Sequence, residues 1–234
     1  MLVNLGRFIF VDRKMYNTLM PQPGEIWKVN YLVRSPINFA SQEQQILYSS
    51  LARSFLAGNS QPRYVMIVKE PEILEKIEEN WLIIYVMLLS VETDFISNRD
   101  LRIPAEISGL DQDVLAETWH IIPALACNLL QPVGKRLSRQ IYDYLLTVRD
   151  YYHGLVSHLP AITEIQHLGL THDNLCSTNN SKIQDFHKAE QAWSDVLTVP
   201  VAAYYTYLKG INFTNAILNE VLQLEKDLYH EISD

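Results

Sequence analysis

Cysteine is nearly absent. Only Cys127 and Cys176 occur in 234 residues, far apart and in no zinc-type spacing. So few thiols exclude a disulfide framework and point to a reducing, cytoplasmic setting. Glycine and proline are modest at eight and ten residues, which excludes a low-complexity chain. Long hydrophobic runs are missing too. The longest, Trp81–Val91, contains Ser90 and is too short to cross a bilayer. The first residues make no secretory signal, because the short apolar stretch Phe8–Val11 runs straight into Asp12, Arg13 and Lys14. Residues 1–20 read as a leader, with Met20 as an alternative point of initiation.

Positive charge is also scarce. Nineteen basic residues face 27 acidic ones, a net charge of −8, and residues 151–234 are the most acidic part. Duplex nucleic acid is held mainly through phosphate neutralisation, so duplex DNA is not expected as a ligand. No glycine loop for phosphate, nucleophile elbow or paired-cysteine motif is present. Their absence sets aside the common nucleotide hydrolases, serine hydrolases and zinc ribbons.

What is present suits a packed core: 48% of residues are hydrophobic and 20% charged. Gly24–Val33 alternates at period two and predicts a strand. From Ser41 the apolar positions Ile46, Leu47, Leu51 and Phe55 fall at helical spacing, which predicts one inserted helix over Ser41–Leu56. Strands are expected at Tyr64–Lys69, Trp81–Ser90, Leu101–Ile107 and Val114–Ile122. Pro71–Asn80 reads as a turn with a short helix. The chain then leads through Pro132 and Gly134 into a helix that starts at Ser138. Residues 159–182 read as irregular. Lys182–Leu197 reads as a helix that stops before Pro200, and Val201–Leu208 as a second, short one. Asn212–Ile232 carries a seam of Phe213, Ile217, Val221, Leu224 and Leu228 suited to another helix. The fold class is α+β: a small, strongly bent antiparallel barrel over residues 21–150 with an inserted helix, and a helical annex over 151–234.

Several short motifs share an order. They read Gly24-Glu25-Ile26-Trp27, Pro62-Arg63-Tyr64-Val65-Met66-Ile67-Val68, Val86-Met87-Leu88-Leu89-Ser90, Ile103-Pro104 to Gly109-Leu110, Asp113 to Thr118, and Lys135-Arg136-Leu137-Ser138. This order, over about residues 21–150, resembles the MazF/PemK-type growth-inhibitor toxins, small SH3-like barrels that cut single-stranded RNA. The resemblance implies a metal-independent endoribonuclease with no cofactor, in which Arg63 and Ser90 match the cleavage positions. The chain also departs from that pattern. The Ser41–Leu56 excursion replaces a short glycine-rich gating loop, Tyr64 follows the arginine in place of proline, and Thr118-Trp119-His120 ends the fifth strand where a basic residue is usual. The annex has no counterpart. These departures imply activity reduced or lost.

Under the catalytic reading, the Arg63 guanidinium pairs with phosphoryl oxygens and Ser90 holds the phosphate. His120 serves as general acid or base. Glu25 and Glu117 are candidates for the other proton transfer and, with Trp119, for contact with substrate. Read structurally, Arg63 is a salt-bridge partner, Ser90 a turn residue and His120 a half-buried side chain. The chain is then a non-catalytic scaffold that docks a protein partner or a second copy of itself through the acidic C-terminal helices. His167, His172, Asp173 and Cys176 carry metal-ligand chemistry, but their spacing fits no structural zinc pattern and they read as polar loop.

Overall fold

The computed structural model describes residues 20–70, 81–159, 162–172 and 180–210. The leader, the Pro71–Asn80 turn and the Asn212–Ile232 seam lie outside the described residues, as do Asp173 and Cys176.

The fold is α+β, built on one six-stranded sheet. Its strands are β1 (Ile26–Val29), β2 (Tyr64–Lys69), β3 (Ile83–Ser90), β4 (Asp100–Ile103), β5 (Val114–Leu125) and β6 (Leu129–Val133). The spatial order is β4-β5-β3-β2-β1-β6, and every pairing is antiparallel. Helices cover both faces, which is why β2 and β3 read as continuous apolar runs instead of alternating. On one face Ile26, Met66, Met87, Leu89, Leu101 and Val114 pack against Ile141, Leu145 and Val148 of α4 (Arg139–Tyr152). On the other, Val65, Ile67, Val86 and Leu88 pack against Phe55 of α2 (Ser50–Leu56). Trp193 of α6 (Ser181–Trp193) and Leu197 of α7 (Asp195–Gly210) share that second core.

The expected closed barrel is corrected to an open, curled sheet: among the described residues, no ladder joins the edge strands β4 and β6. Local reasons are visible at both edges. Arg102 of β4 exchanges backbone hydrogen bonds with Thr171 at 2.9 and 3.2 Å, so that edge is partly occupied. β6 contains Pro132, which has no N–H to offer. The sheet still curls enough for the turn after β4 to touch the turn after β6. There the Lys135 amide donates to the Ser108 carbonyl at 2.7 Å. Gly134, at φ +65°, permits this approach, since a Cβ would lie 2.2 Å from the Ser108 oxygen.

Several element boundaries differ from expectation. β1 stops at Val29 because Asn128 takes over the following loop: its backbone carbonyl accepts from the Asn30 amide, and its side chain bonds both the N–H and the C=O of Arg34. The inserted excursion is two helices, α1 (Ser41–Leu47) and α2, not one. Ser49 divides them. Its hydroxyl accepts from the Ala52 amide as a cap and donates to the Ala192 carbonyl, while its own N–H reaches Asp195 Oδ2 at 2.9 Å. The fourth strand is short, and Ala105–Ser108 forms the one-turn helix α3. β6 and α5 (Ile162–His167) were not expected. Pro200 lies inside α7, where its missing N–H costs one helical bond.

Candidate functional site

Positions 63 and 90 meet through strand register. Tyr64 pairs with Leu89 across β2 and β3, so one step further Arg63 lies opposite Ser90. Both residues stand on the face covered by α2, α6 and α7, in line with Val65 and Leu88. Ser90 is fully buried, and its hydroxyl accepts from the Glu92 amide at 3.2 Å, a turn interaction.

The next strand delivers the rest of the cluster through a wide bulge. Leu89 pairs with Ala116 and Met87 with Ile121, which leaves Glu117, Thr118, Trp119 and His120 opposite Leu88 alone. Bulges re-aim side chains that a regular ladder would alternate. Here Glu117 is buried on the Arg63 side, and His120 Nδ1 lies 3.0 Å from Glu117 Oε2. The Trp119 ring stacks on the His120 ring at 4.5 Å, and its indole N–H donates to Asp100 Oδ1 at 3.0 Å. Asp100, opposite Glu117 in the β4–β5 ladder, also accepts from the amide and hydroxyl of Ser97.

α6 closes the cluster from above. Its buried residues Ile183, Phe186, Glu190 and Trp193 form one stripe, so a carboxylate occupies a seam position that would ordinarily be apolar. Arg63 Nη1 donates to both oxygens of Glu190 at 2.8 Å, with side chains 20% and 3% exposed. The Arg63 guanidinium also sits over the Trp193 ring, 4.9 Å from its centroid. His187 lies against Trp119 at 4.2 Å and 3.7 Å from Asp100 Oδ2. Phe186 stacks on Phe95 at 5.1 Å, and Trp193 meets Phe55 edge-on at 5.2 Å. Arg63 is therefore held by an ion pair and an aromatic face.

The charges do not balance if every group ionises. Three carboxylates, Glu117, Glu190 and Asp100, face the single guanidinium of Arg63. Glu117 relieves the excess by holding its proton more tightly than a free carboxyl does. Burial pushes its carboxyl well above the usual range, the charges of Glu190 and Asp100 push the same way, and Arg63 opposes them only in part. His120 is driven down to about 4 by burial first and then by His187 and Arg63. With the His120 ring uncharged near neutral pH, the His120–Glu117 contact is a hydrogen bond and not an ion pair.

The structure brings together Arg63, Ser90, Glu117, Trp119 and His120. It does not bring Glu25 to them: Glu25 Oε2 accepts from the Gln22 amide and the Trp27 indole, each at 2.9 Å. The sequence reading missed Glu190, Trp193, His187 and Asp100. A signal for Glu190 was available, since it interrupts the Ile183–Phe186–Trp193 stripe. No spacing rule could have linked Asp100 to Trp119. His167 is exposed in the last turn of α5, and His172 Nε2 contacts the Asn98 carbonyl at 2.7 Å. Among the described residues, no group of three His, Cys, Asp or Glu side chains is placed to hold a metal, and no helix is long and apolar enough to cross a membrane.

No protein-family model matches the chain, and no curated protein matches it.

Proposed function

We propose that this chain is a divergent relative of the MazF/PemK-type growth-inhibitor toxins, with their SH3-like strand plan opened into a sheet. In this reading the ribonuclease centre has been filled from within, and the protein acts as a non-catalytic interaction scaffold. The Glu190 carboxylate on Arg63 carries the proposal. A guanidinium whose Nη1 is held by both oxygens of a buried carboxylate, beneath a tryptophan and an entire helix, is poorly placed to meet a phosphodiester. Burial of Ser90 and the low proton affinity of His120 support the same conclusion. Leu32, Ile46, Leu47 and Leu51 are exposed on and before the inserted helices, with Ile46 at 84%, and supply apolar surface of the kind a scaffold uses.

The test is incubation of the purified chain with mixed-sequence single-stranded RNA, beside Arg63→Ala and Glu190→Ala. The expected result is no cleavage by any of the three. Cleavage by the wild type that Arg63→Ala abolishes would overturn the scaffold reading. A second reading rests on the gathering of Arg63, Ser90, Glu117 and His120: an endoribonuclease held shut by α6. Cleavage that appears only in Glu190→Ala would favour it.

A further inference from the structure

The cluster beneath α6 contains an arrangement that the filling of the site does not itself require. Glu117 Oε1 is buried and has no N–H or O–H donor among the described residues, and the Glu117 side chain lies within hydrogen-bonding reach of the Glu190 side chain. Two carboxyl groups with no donor between them can bond only by sharing a proton. Glu117 belongs to the sheet and Glu190 to the helix. Among the described residues, the charged or titratable groups facing the pair are Arg63, just before β2, Asp100 from β4, His120 from β5 and His187 from α6. Arg63 is the one guanidinium among them, and Glu190 already takes its Nη1.

We infer that α6 is a proton-held lid: one proton shared between Glu117 and Glu190 keeps it closed over Arg63, and loss of that proton lifts it and exposes Arg63 to anionic partners. With the proton present, Glu117 donates to Glu190, Glu190 pairs with Arg63, and the helix is tied to the sheet by a continuous chain of bonds. Without it, two adjacent buried carboxylates repel across the helix–sheet boundary, with Asp100 adding to the repulsion. Separation of α6 is the simplest relief. Of the other α6 contacts, Phe186 on Phe95, Trp193 on Phe55 and the Ser49 hydroxyl on the Ala192 carbonyl involve no ionisable group, whereas His187, 3.7 Å from Asp100, pairs two ionisable side chains.

The sign follows from linkage. Glu117 binds its proton more tightly folded than unfolded. Its contribution to closure is complete below the ordinary carboxyl value of 4.5 and is lost as pH rises through its elevated folded value. The lid therefore opens on the alkaline side.

The proposal relies on the filled-site reading only in treating α6 as the element that closes on Arg63. Its experiment reads the helix and not RNA, so the two can fail separately. Amide hydrogen exchange of the full chain is followed from about pH 5 to about pH 9, corrected for intrinsic rates, with α4 as internal reference. Protection of α6 is expected to fall by up to about tenfold per pH unit between the ordinary carboxyl value and the elevated folded value of Glu117, and to level off above it, while α4 holds. In Glu117→Gln the amide keeps a donor at every pH, and the α6 dependence should vanish. Glu190→Gln provides a second route, because it leaves one carboxyl beside Arg63 and nothing to share. A wild-type α6 whose protection does not change with pH would overturn the proposal. So would a slope unchanged in both variants.

Discussion

Replacing Arg63 with methionine separates a structural clamp from a free reactive group more sharply than any other change. Methionine keeps much of the aliphatic stem and its contact with Trp193, but removes the charge. Glu190 is then left buried beside Glu117 and Asp100 with no cation in contact. Removing one partner from a buried pair costs about 3–5 kcal/mol, because the other charge stays desolvated and uncompensated. The Arg63 side chain is 20% exposed, so the lower end, about 3 kcal/mol, applies. For a chain of 234 residues that corresponds to a fall in Tm of roughly 6–12 °C. Arg63→Met combined with Glu190→Met should recover about 2 kcal/mol relative to the sum of the single changes, since no buried charge is then stranded. Urea denaturation of the four proteins at neutral pH gives the cycle. An Arg63→Met variant within about 0.5 kcal/mol of wild type, or strict additivity in the double variant, would refute the clamp.

Two further outcomes follow from the same geometry. His120 has its proton affinity depressed from 6.5 to about 4, so folding stability it supports at neutral pH is lost as pH falls through that window. The loss is on the order of 3 kcal/mol, and His120→Gln should flatten the pH dependence of urea unfolding there. Gly134→Ala drives a methyl into the Ser108 carbonyl at a backbone angle that L-residues avoid. It should destabilise by about 2 kcal/mol or more, measured as a lower Tm, whereas Gly154→Ala, with open space around it, should pay only for its own positive φ of +76°.

Local pattern carried far in some places and failed in others for identifiable reasons. β2 falls on Tyr64–Lys69 as its β-branched run predicts, and α4 begins at the Ser138 cap. β6 was hidden because Leu129–Val133 is exposed at three positions, contains Pro132 and forms one edge; its strand character comes from pairing with β1. The break between α1 and α2 was invisible for a different reason. Ser49 divides them by bonding Ala192 and Asp195, over 140 residues away in sequence. The wide bulge in β5 likewise cannot be read from alternation, since Glu117, Thr118, Trp119 and His120 leave the ladder's period altogether.

The amino-acid order alone settled the α+β class, the central apolar strands and the placing of positions 63 and 90 at the ends of β2 and β3. Those features depend on period and local capping, which act over a few residues. Tertiary structure decided what Arg63 faces. Its partner comes from a helix more than a hundred residues downstream, and only docking of α6 on the sheet turns a potential phosphate ligand into one member of a buried pair. Charge satisfaction in a low-dielectric interior is a property of the assembled site, and no segment of the chain contains it by itself.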